Sequence, residues 1–446
     1  MIHSPERRSE KFWNEYGGKM RKFLALALVA VMMLALVACG NGTTPAKTTD
    51  TSDSTASSDA AASTDATTDA TPVADDSFKI GFIFLHDENS TYDLNFINAA
   101  REAQAALGLS DDQVIFKTNI PESNECYEAA LDLVDRGCTV IFADSFGHES
   151  YMLQAARENP DVQFCHATGT MAHTEGLANF HNAFASIYEG RYLAGIAAGL
   201  KLNEMIAAGK FKAEDAKIGY VGAFTYAEVI SGYTSFFLGA RSVCPTATME
   251  VQFTGSWYDE TAEKEAATTL ISRGCKLISQ HADSMGAPTA CETAGVPNVS
   301  YNGSTVAACP NTFIVSSRIN WAPYFEYIVN CAKSGEAIAA DWTGTLATGS
   351  VELSEINAKA AAEGTQAAID AAKAKLESGE LHVFDTAVFT VGGATLTSYL
   401  ADVDTDANYE KDTEVVADGY FHESEKRSAP YFDLDIDGIT KLNAAY

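Results

Sequence analysis

The sequence predicts an α/β protein whose globular part has two lobes, each a doubly wound parallel sheet with helices on both faces. Short apolar segments alternate with amphipathic segments, several of which end at a glycine, as helices commonly do. Near-continuous apolar strands are typical of parallel sheets that are buried on both faces. The alternation begins at Phe78, is interrupted between Phe180 and Tyr188, and then restarts, which predicts the second lobe.

The elements of each lobe follow from this alternation. In the first lobe we expect strands at Phe78–Leu85, Val114–Lys117, Val140–Asp144 and Val162–Ala167, and helices at Asn95–Gly108, Cys126–Gly137 and Tyr151–Asn159. In the second lobe we expect strands at Lys217–Gly222, Thr248–Phe253, Leu277–Gln280 and Asn298–Tyr301, and helices at Tyr188–Leu202, Ser231–Ser242, Thr261–Gly274 and Pro288–Gly295.

Candidate binding residues follow from the topology. Open parallel sheets bind ligands at the carboxyl ends of their strands. The segments that come directly after predicted strands are His86–Asp93, Asp144–His148, Thr168, Phe224–Glu228, Trp257–Asp259, His281–Gly286 and Asn302–Ser304.

The amino-terminal part of the chain has the pattern of an export signal. Met20 is followed by two basic residues, the run from Phe23 to Val37 is apolar, and Leu-Val-Ala-Cys ends at Cys39. This ending resembles the lipobox of bacterial lipoproteins, which implies lipidation of Cys39 and an anchor on the outer face of the cytoplasmic membrane. Residues 1–19 fit no part of a signal, and we expect them not to belong to the native protein. Residues 40–76 are rich in Thr, Ser, Ala and Asp, which predicts a disordered tether.

Composition excludes one class of partner. The chain has 30 Lys and Arg against 60 Asp and Glu, a net charge of −30, whereas nucleic-acid binding requires clustered basic residues. The eight cysteines after Cys39 are scattered without a CxxC pair, and we expect most of them to be buried free thiols.

Several separated motifs resemble one family in the same order. They are Ile-Gly-Tyr-Val-Gly-Ala-Phe at 218–224, Glu-Val-Ile at 228–230, Leu-Gly-Ala-Arg-Ser-Val at 238–243, Gly-Ser-Trp-Tyr-Asp at 255–259, Lys-Glu-Ala-Ala at 264–267, Gln-His-Ala-Asp-Ser at 280–284 and Gly-Arg-Tyr-Leu-Ala-Gly at 190–195. The chain resembles the basic-membrane-protein family, also called the purine nucleoside receptor family, whose members are substrate-binding lipoproteins of ABC importers. The resemblance covers most of residues 78–345.

The resemblance implies a type I periplasmic-binding-protein clamshell, in which the chain crosses between the lobes three times at a hinge. On this basis the first lobe is expected to comprise residues 77–182 and 316–340, and the second lobe residues 183–315 and 341–398. Residues 399–446 are expected to pack on the second lobe or the hinge, with a strand at Tyr431–Ile439.

The resemblance also implies a binding site. Tyr92 and Trp257 would sandwich a purine, with Asp93 standing where the family has Asn or Thr. Asn302 would meet the sugar at a position that is Asp in nucleoside-binding members, and Arg318 loosely matches a basic residue of the family. Topology adds Thr168, Phe224 and Asp283 as candidates. Asp93, Asp283 and Asn302 could instead be helix caps or turn residues.

These observations predict a receptor rather than an enzyme, without a cofactor or metal. The expected protein is a monomer that binds a purine nucleoside or nucleobase and passes it to an ABC permease. The alternatives are the same fold binding a sugar, a flavin or a signalling molecule, and a secreted nucleoside hydrolase. The Asp-x-Asp-x-Asp-Gly segment at 433–438 resembles the start of a calcium loop, but Ala444 occupies the position where such a loop needs Glu. Cys165 and His166 are adjacent on a strand, so their side chains point to opposite faces and cannot form a dyad.

Overall fold

The protein is described by a computed structural model that covers residues 77–445. The predicted signal, Cys39 and the tether lie outside these residues. The strands are β1 (Ile80–Ile83), β2 (Val114–Lys117), β3 (Val140–Ala143), β4 (Gln163–Ala167), β5 (Phe180–Ala185), β6 (Lys217–Gly222), β7 (Thr248–Phe253), β8 (Leu277–His281), β9 (Asn298–Tyr301), β10 (Phe313–Ile319), β11 (Asp341–Gly344), β12 (Val351–Leu353), β13 (Leu400–Ala401), β14 (Thr413–Glu414), β15 (Val416–Ala417), β16 (Tyr420–Phe421) and β17 (Ile439–Lys441).

The helices flank two large sheets. They are α1 (Thr91–Ala106), α2 (Asn124–Asp135), α3 (Glu149–Glu158), α4 (Ala172–Glu175), α5 (Ile187–Ala207), α6 (Ala227–Val243), α7 (Glu260–Ser272), α8 (Gly286–Ala294), α9 (Ala322–Ser334) and α10 (Thr365–Glu377). The first lobe has a six-stranded sheet in the order β11-β5-β4-β3-β1-β2, and the second a seven-stranded sheet in the order β12-β10-β9-β8-β6-β7-β17. Within these two sheets, all strand pairs are parallel except β10 with β12. The predicted α/β architecture is confirmed.

The chain crosses between the lobes at places that differ from those predicted. β5 and β11 both belong to the first sheet, so residues 183–185 and 341–344 were assigned to the wrong lobe. β10 pairs with β9 in the second sheet, so residues 316–319 were also misassigned. The reason is that strand pairing depends on distant partners, whereas the predicted boundaries were placed from local patterns alone. The crossings lie after β5, between β10 and α9, and between β11 and β12.

Two long helices of the second lobe pack with their backbones in close contact. A Cβ atom on Gly195 of α5 would lie 2.0 Å from the carbonyl oxygen of Phe236 in α6, and one on Gly239 of α6 would lie 2.0 Å from that of Tyr192. Only glycine permits this approach. The contact fixes α5, the first helix after the crossing, against the core of the second lobe.

The carboxyl-terminal extension packs on both lobes, not only on the second lobe or hinge. β17 extends the second sheet beside β7. On the first lobe, the Ser428 N–H and hydroxyl donate to the carboxylate of Asp341 in β11, and the Tyr409 hydroxyl donates to Glu175 in α4. The strand expected at Tyr431–Ile439 is instead Ile439–Lys441. Tyr431 and the two residues Phe432 and Ile436 are buried in non-strand backbone, so their apolar pattern reflects burial.

The eight cysteines at positions 126, 138, 165, 244, 275, 291, 309 and 331 are all free and buried, which confirms the expectation from the sequence. The carboxylates of the rejected calcium segment face different partners: Asp433 binds Lys411, Asp435 binds Lys441, and Asp437 accepts from Thr390 and Gly393. Within residues 77–445, no helix combines the length and apolar character needed to span a membrane.

Candidate functional site

A small, nearly filled cavity of about 10 Å³ lies between the carboxyl ends of the two sheets. Both lobes contribute side chains to it, each from a segment that follows a strand or opens a helix. The lining residues are Leu85, Tyr92, Ser145, Phe146 and Thr168 from the first lobe, and Glu228, Trp257, His281 and Asp283 from the second. Four residues expected from the sequence therefore meet in one place: Tyr92, Thr168, Trp257 and Asp283.

The two principal aromatic rings of the cavity are held by different lobes. Tyr92 is in the first turn of α1, its hydroxyl donates to the backbone oxygen of Asp144 at 2.7 Å, and its ring packs edge-on against Phe96 at 4.8 Å. Trp257 follows β7, and its ring packs edge-to-face against Phe224 at 5.0 Å. Each ring is thus oriented within its own lobe, and a flat ligand between them would contact both only when the lobes are closed.

An aromatic contact between the lobes lies beside the cavity. Phe146 follows β3 and Tyr226 precedes α6, and their ring centroids are 5.3 Å apart. Phe146 is 38% exposed, so one side of its ring faces solvent while the other faces the cavity.

The second lobe supplies the ionisable groups of the cavity. His281 Nε2 lies 3.3 Å from Glu228 Oε1, and both side chains are buried. Burial lowers the pKa of His281, and Glu228 opposes this shift. Burial raises the pKa of Asp283 well above its ordinary value, aided by the negative charges of Asp93, Glu263 and Glu228. No hydrogen bond between the described residues ends on the Asp283 carboxyl group, so it is available to a ligand.

Asp93 does not line the cavity, and the alternative of a capping role is the one the structure shows. Its backbone N–H and carboxylate both bond to the N-cap residue Ser90, and its carboxylate accepts from the N–H of His86 at 2.8 Å. Burial would raise the pKa of Asp93, but hydrogen bonds from His86 and Ser90 outweigh it and leave the pKa lowered. Burial and Asp93 raise the pKa of Asp144 well above its ordinary value.

Three other expected residues also lie outside the cavity lining. Arg318 binds Glu352 at 2.6 Å and Asn95 at 3.3 Å, because antiparallel β12 brings an acidic partner beside it. Asn302 occupies a left-handed turn with φ of 61°, where its N–H donates to the oxygen of Ser317. Phe224 stands behind Trp257 and supports it.

Four lining residues were not singled out from the sequence: Leu85, Ser145, Phe146 and His281. Glu228 was considered only as a weaker candidate than the others. All except Leu85 fall in segments that follow predicted strands. Their place near the crevice could therefore be predicted, but their importance relative to neighbouring residues could not. Phe146 belongs to a short 3-10 turn and gave no pattern of its own. Glu228 and His281 become notable only as a buried pair, which requires knowing that α6 packs against β8.

A buried guanidinium lies behind the second-lobe face of the cavity. Arg191 of α5 donates to the hydroxyls of Tyr220, Ser279 and Ser317, and its charge contributes to lowering the pKa of His281. It also lies over the ring of Tyr301 at 4.9 Å. Among the described residues, no carboxylate forms an ion pair with it. The cavity itself is lined by two carboxyl groups and no Lys or Arg of the described chain.

Comparisons with known proteins agree with this geometry. Residues 92–383 match the family of ABC transporter substrate-binding proteins that are PnrA-like. A purine-binding protein of Brucella abortus (strain 2308) is 29% identical over 320 residues, covering 70% of this chain and 84% of the relative. A Haloferax volcanii protein named for ABC-transporter glucose binding is 34% identical over 216 residues, which are 48% of this chain and 51% of that protein. A solved ABC transporter solute-binding protein from Conexibacter woesei DSM 14684 has a TM-score of 0.56 at 21% identity, covering 68% of this chain and 98% of that one.

Proposed function

The chain belongs to the PnrA-like family of ABC transporter substrate-binding proteins, and we propose that it binds a purine base or purine nucleoside between its lobes. The observation that carries the proposal is the pair of rings, Tyr92 and Trp257, that line one cavity from different lobes. Stacking on an aromatic side chain contributes about 1–3 kcal/mol per base. The purine-binding relative from Brucella abortus supports the same ligand class.

The polar side chains that line the cavity further restrict the class of ligand that it can bind. The carboxyl group of Asp283 lines the cavity without a hydrogen-bond partner in the described chain, so it can form a hydrogen bond with the ligand. Purines offer hydrogen-bonding groups on their ring nitrogens and exocyclic amines. The cavity has no basic side chain among the described residues, so a phosphate would have no cationic partner there. We therefore propose a base or nucleoside rather than a nucleotide.

The same proposal gives the protein its place in the cell. Cys39, at the end of the export signal, would carry the lipid anchor on the outer face of the cytoplasmic membrane, and the globular part would deliver its ligand to an ABC permease. The protein acts by binding and release, without catalysis. The aromatic pair is the part of the site on which ligand choice depends.

Titration calorimetry tests the proposal. Adenine, adenosine, guanine, guanosine, AMP, glucose and riboflavin are compared with the wild-type protein and with Trp257→Ala and Tyr92→Ala. We expect a base or nucleoside to bind, AMP to bind at least tenfold more weakly, and each ring variant to lose about 5- to 150-fold in affinity. Tyr409→Ala is the matched control, because this tyrosine is 51% exposed on the carboxyl-terminal extension.

The outcomes separate the candidate ligands. Unchanged purine affinity in both ring variants, with intact melting temperatures, would show that the purine site is not this cavity. Tight binding of glucose or riboflavin without purine binding would replace the ligand class while leaving the receptor fold. The glucose arm is included because the Haloferax volcanii relative is named for that ligand.

A further inference from the structure

A continuous chain of backbone hydrogen bonds joins the two aromatic walls of the cavity. The N–H of Asp283 donates to the backbone oxygen of Trp257 at 2.9 Å. The backbone oxygen of Asp283 in turn accepts from the N–H of Thr91 at 2.9 Å and from the Thr91 hydroxyl at 3.1 Å. Thr91 directly precedes Tyr92. The peptide groups of Asp283 therefore connect the residue that carries one ring to the residue beside the other.

This connection crosses from one lobe to the other. Thr91 is the first residue of α1, and the N–H groups of the first turn of a helix have no partner within the helix. Here a carbonyl group of the second lobe satisfies that donor. The turn at Gly303 of the second lobe also approaches Thr91, since a Cβ atom on Gly303 would lie 3.4 Å from the Thr91 Cβ. Opening the lobes would break both hydrogen bonds and this contact.

A second polar contact between α1 and the second lobe differs from the first because it lies at the hinge. Asn95 donates to the oxygen of Ile319 at 2.6 Å and accepts from Arg318. Residues 318 and 319 end β10 and immediately precede the crossing to α9, so they lie at the hinge. A hinge contact persists when a clamshell opens, whereas the bonds between Thr91 and Asp283 join segments that no crossing connects directly.

We propose that Thr91 and the backbone of Asp283 form a latch between the lobes, which positions Tyr92 against Trp257 and slows ligand release. Thr91 is a positioning residue, because it acts by stabilising the closed state in which Tyr92 and Trp257 both contact the ligand. The inference rests on the proposed function for its ligand, but the latch itself is a property of the chain. Because Asp283 also presents its free carboxyl group to the cavity, one residue contacts the ligand and holds the lobes together.

Proline at position 91 gives a sharp test. Proline is favoured at the first position of a helix, where its missing N–H costs nothing to the helix. It also requires an extended residue before it, and Ser90 has φ −80° and ψ 129°. Thr91→Pro therefore removes both donors of the latch and leaves α1 intact. Thr91→Val removes only the hydroxyl donor. Asn124→Pro makes the same change at the first position of α2, where the side chain is exposed.

Two measurements on the full chain decide the question. Stopped-flow release of adenosine and guanosine should be about 2- to 10-fold faster in Thr91→Val and about 5- to 100-fold faster in Thr91→Pro, with association rates little changed. Hydrogen exchange without ligand should show faster exchange in residues 254–259 and 281–286 of Thr91→Pro. Asn124→Pro should match the wild type in both measurements.

The two proposals fail in different ways. If neither nucleoside binds the wild type, adenine and guanine replace them in the release measurement. If no base binds either, the proposed ligand class is wrong, and hydrogen exchange still decides whether Thr91 latches the lobes. Wild-type release rates and exchange in Thr91→Pro, together with purine loss in Trp257→Ala, would overturn the latch and leave the function standing. If Thr91→Pro does not fold, Thr91→Val decides, and unchanged release from that variant would contradict the inference.

Discussion

Glu263 ties together the two loops that carry Trp257 and Asp283, and its protonation should set how stability changes with pH. Its carboxyl group accepts from the N–H of Asp259 at 3.2 Å and from the N–H of Ser284 at 3.3 Å. The side chain is fully buried in the first turns of α7. Burial raises the pKa of Glu263 from 4.5 to about 7, and the negative charge of Asp259 adds to the effect. The ionised form is therefore costly in the folded protein.

The raised pKa of Glu263 determines the sign and the size of the pH effect on the free energy of unfolding. Because the folded protein holds the proton more tightly than the unfolded chain, the stabilisation is fully present below pH 4.5 and is lost as pH rises through about 7. One unit of pKa corresponds to about 1.4 kcal/mol, so the shift corresponds to about 3 kcal/mol. Glu263→Gln cannot ionise and should lose this dependence. The free energy of unfolding of the variant, relative to wild type, should thus rise by up to about 3 kcal/mol between pH 5 and pH 8.

Urea unfolding at pH 5, 6.5 and 8 measures this difference. The comparison must be made between proteins, because burial also raises the pKa of Glu423 to about 7 and gives the wild type a second contribution of the same sign. Glu265→Gln is the control, since Glu265 is exposed on the same helix. If the wild-type and Glu263→Gln curves stay parallel from pH 5 to pH 8, the buried carboxyl group does not titrate as argued.

Two further changes test the packing and the anchor. Gly195→Ala should destabilise the protein by more than about 3 kcal/mol, because the added Cβ would lie 2.0 Å from the oxygen of Phe236. In thermal unfolding, Gly190→Ala should be milder because its added Cβ meets side chains and no backbone atom, the nearest being Val351 at 2.9 Å. Equal melting temperatures would contradict the backbone contact. Cys39→Ser should move the protein from the membrane fraction into the medium, and retention on membranes would argue against lipidation.

Much of the fold could be predicted from local patterns, whereas the lobe boundaries could not. Strands such as β1 and β3 are apolar runs, so their type and approximate position follow from the sequence. β11 has the sequence Asp-Trp-Thr-Gly and joins the first sheet only through pairing with β5. Nothing within its four residues indicates that partner. Boundaries that depend on distant pairing need the structure.

Some residues of the candidate site could likewise be predicted from the sequence, whereas others could not. Thr168 and Asp283 were found because they follow predicted strands, whereas Tyr92 and Trp257 were singled out by the family resemblance. Arg318 was misjudged because Glu352, which lies opposite it on β12, cannot be identified as its neighbour from the sequence. Asp93 has the residue type and position of both a ligand contact and a helix cap. Its carboxylate could be assigned to the cap only from its bonds to His86 and Ser90.

Because Asp93 belongs to the helix cap, the two lobes differ in the polar groups that they leave available to the ligand. In the first lobe the cavity's hydroxyl donors are already used within that lobe: Tyr92 donates to Asp144, Ser145 to Glu122 and Thr168 to Ala167. The second lobe, in contrast, offers the unpartnered carboxyl group of Asp283 and the Glu228 and His281 pair. Since polar contacts give orientation and apolar surface gives affinity, the second lobe should orient the ligand and the first should cover it. The ring of Tyr92 would then contact the ligand last, when the lobes close. A latch at the neighbouring Thr91 would hold this closed state and would therefore control ligand release.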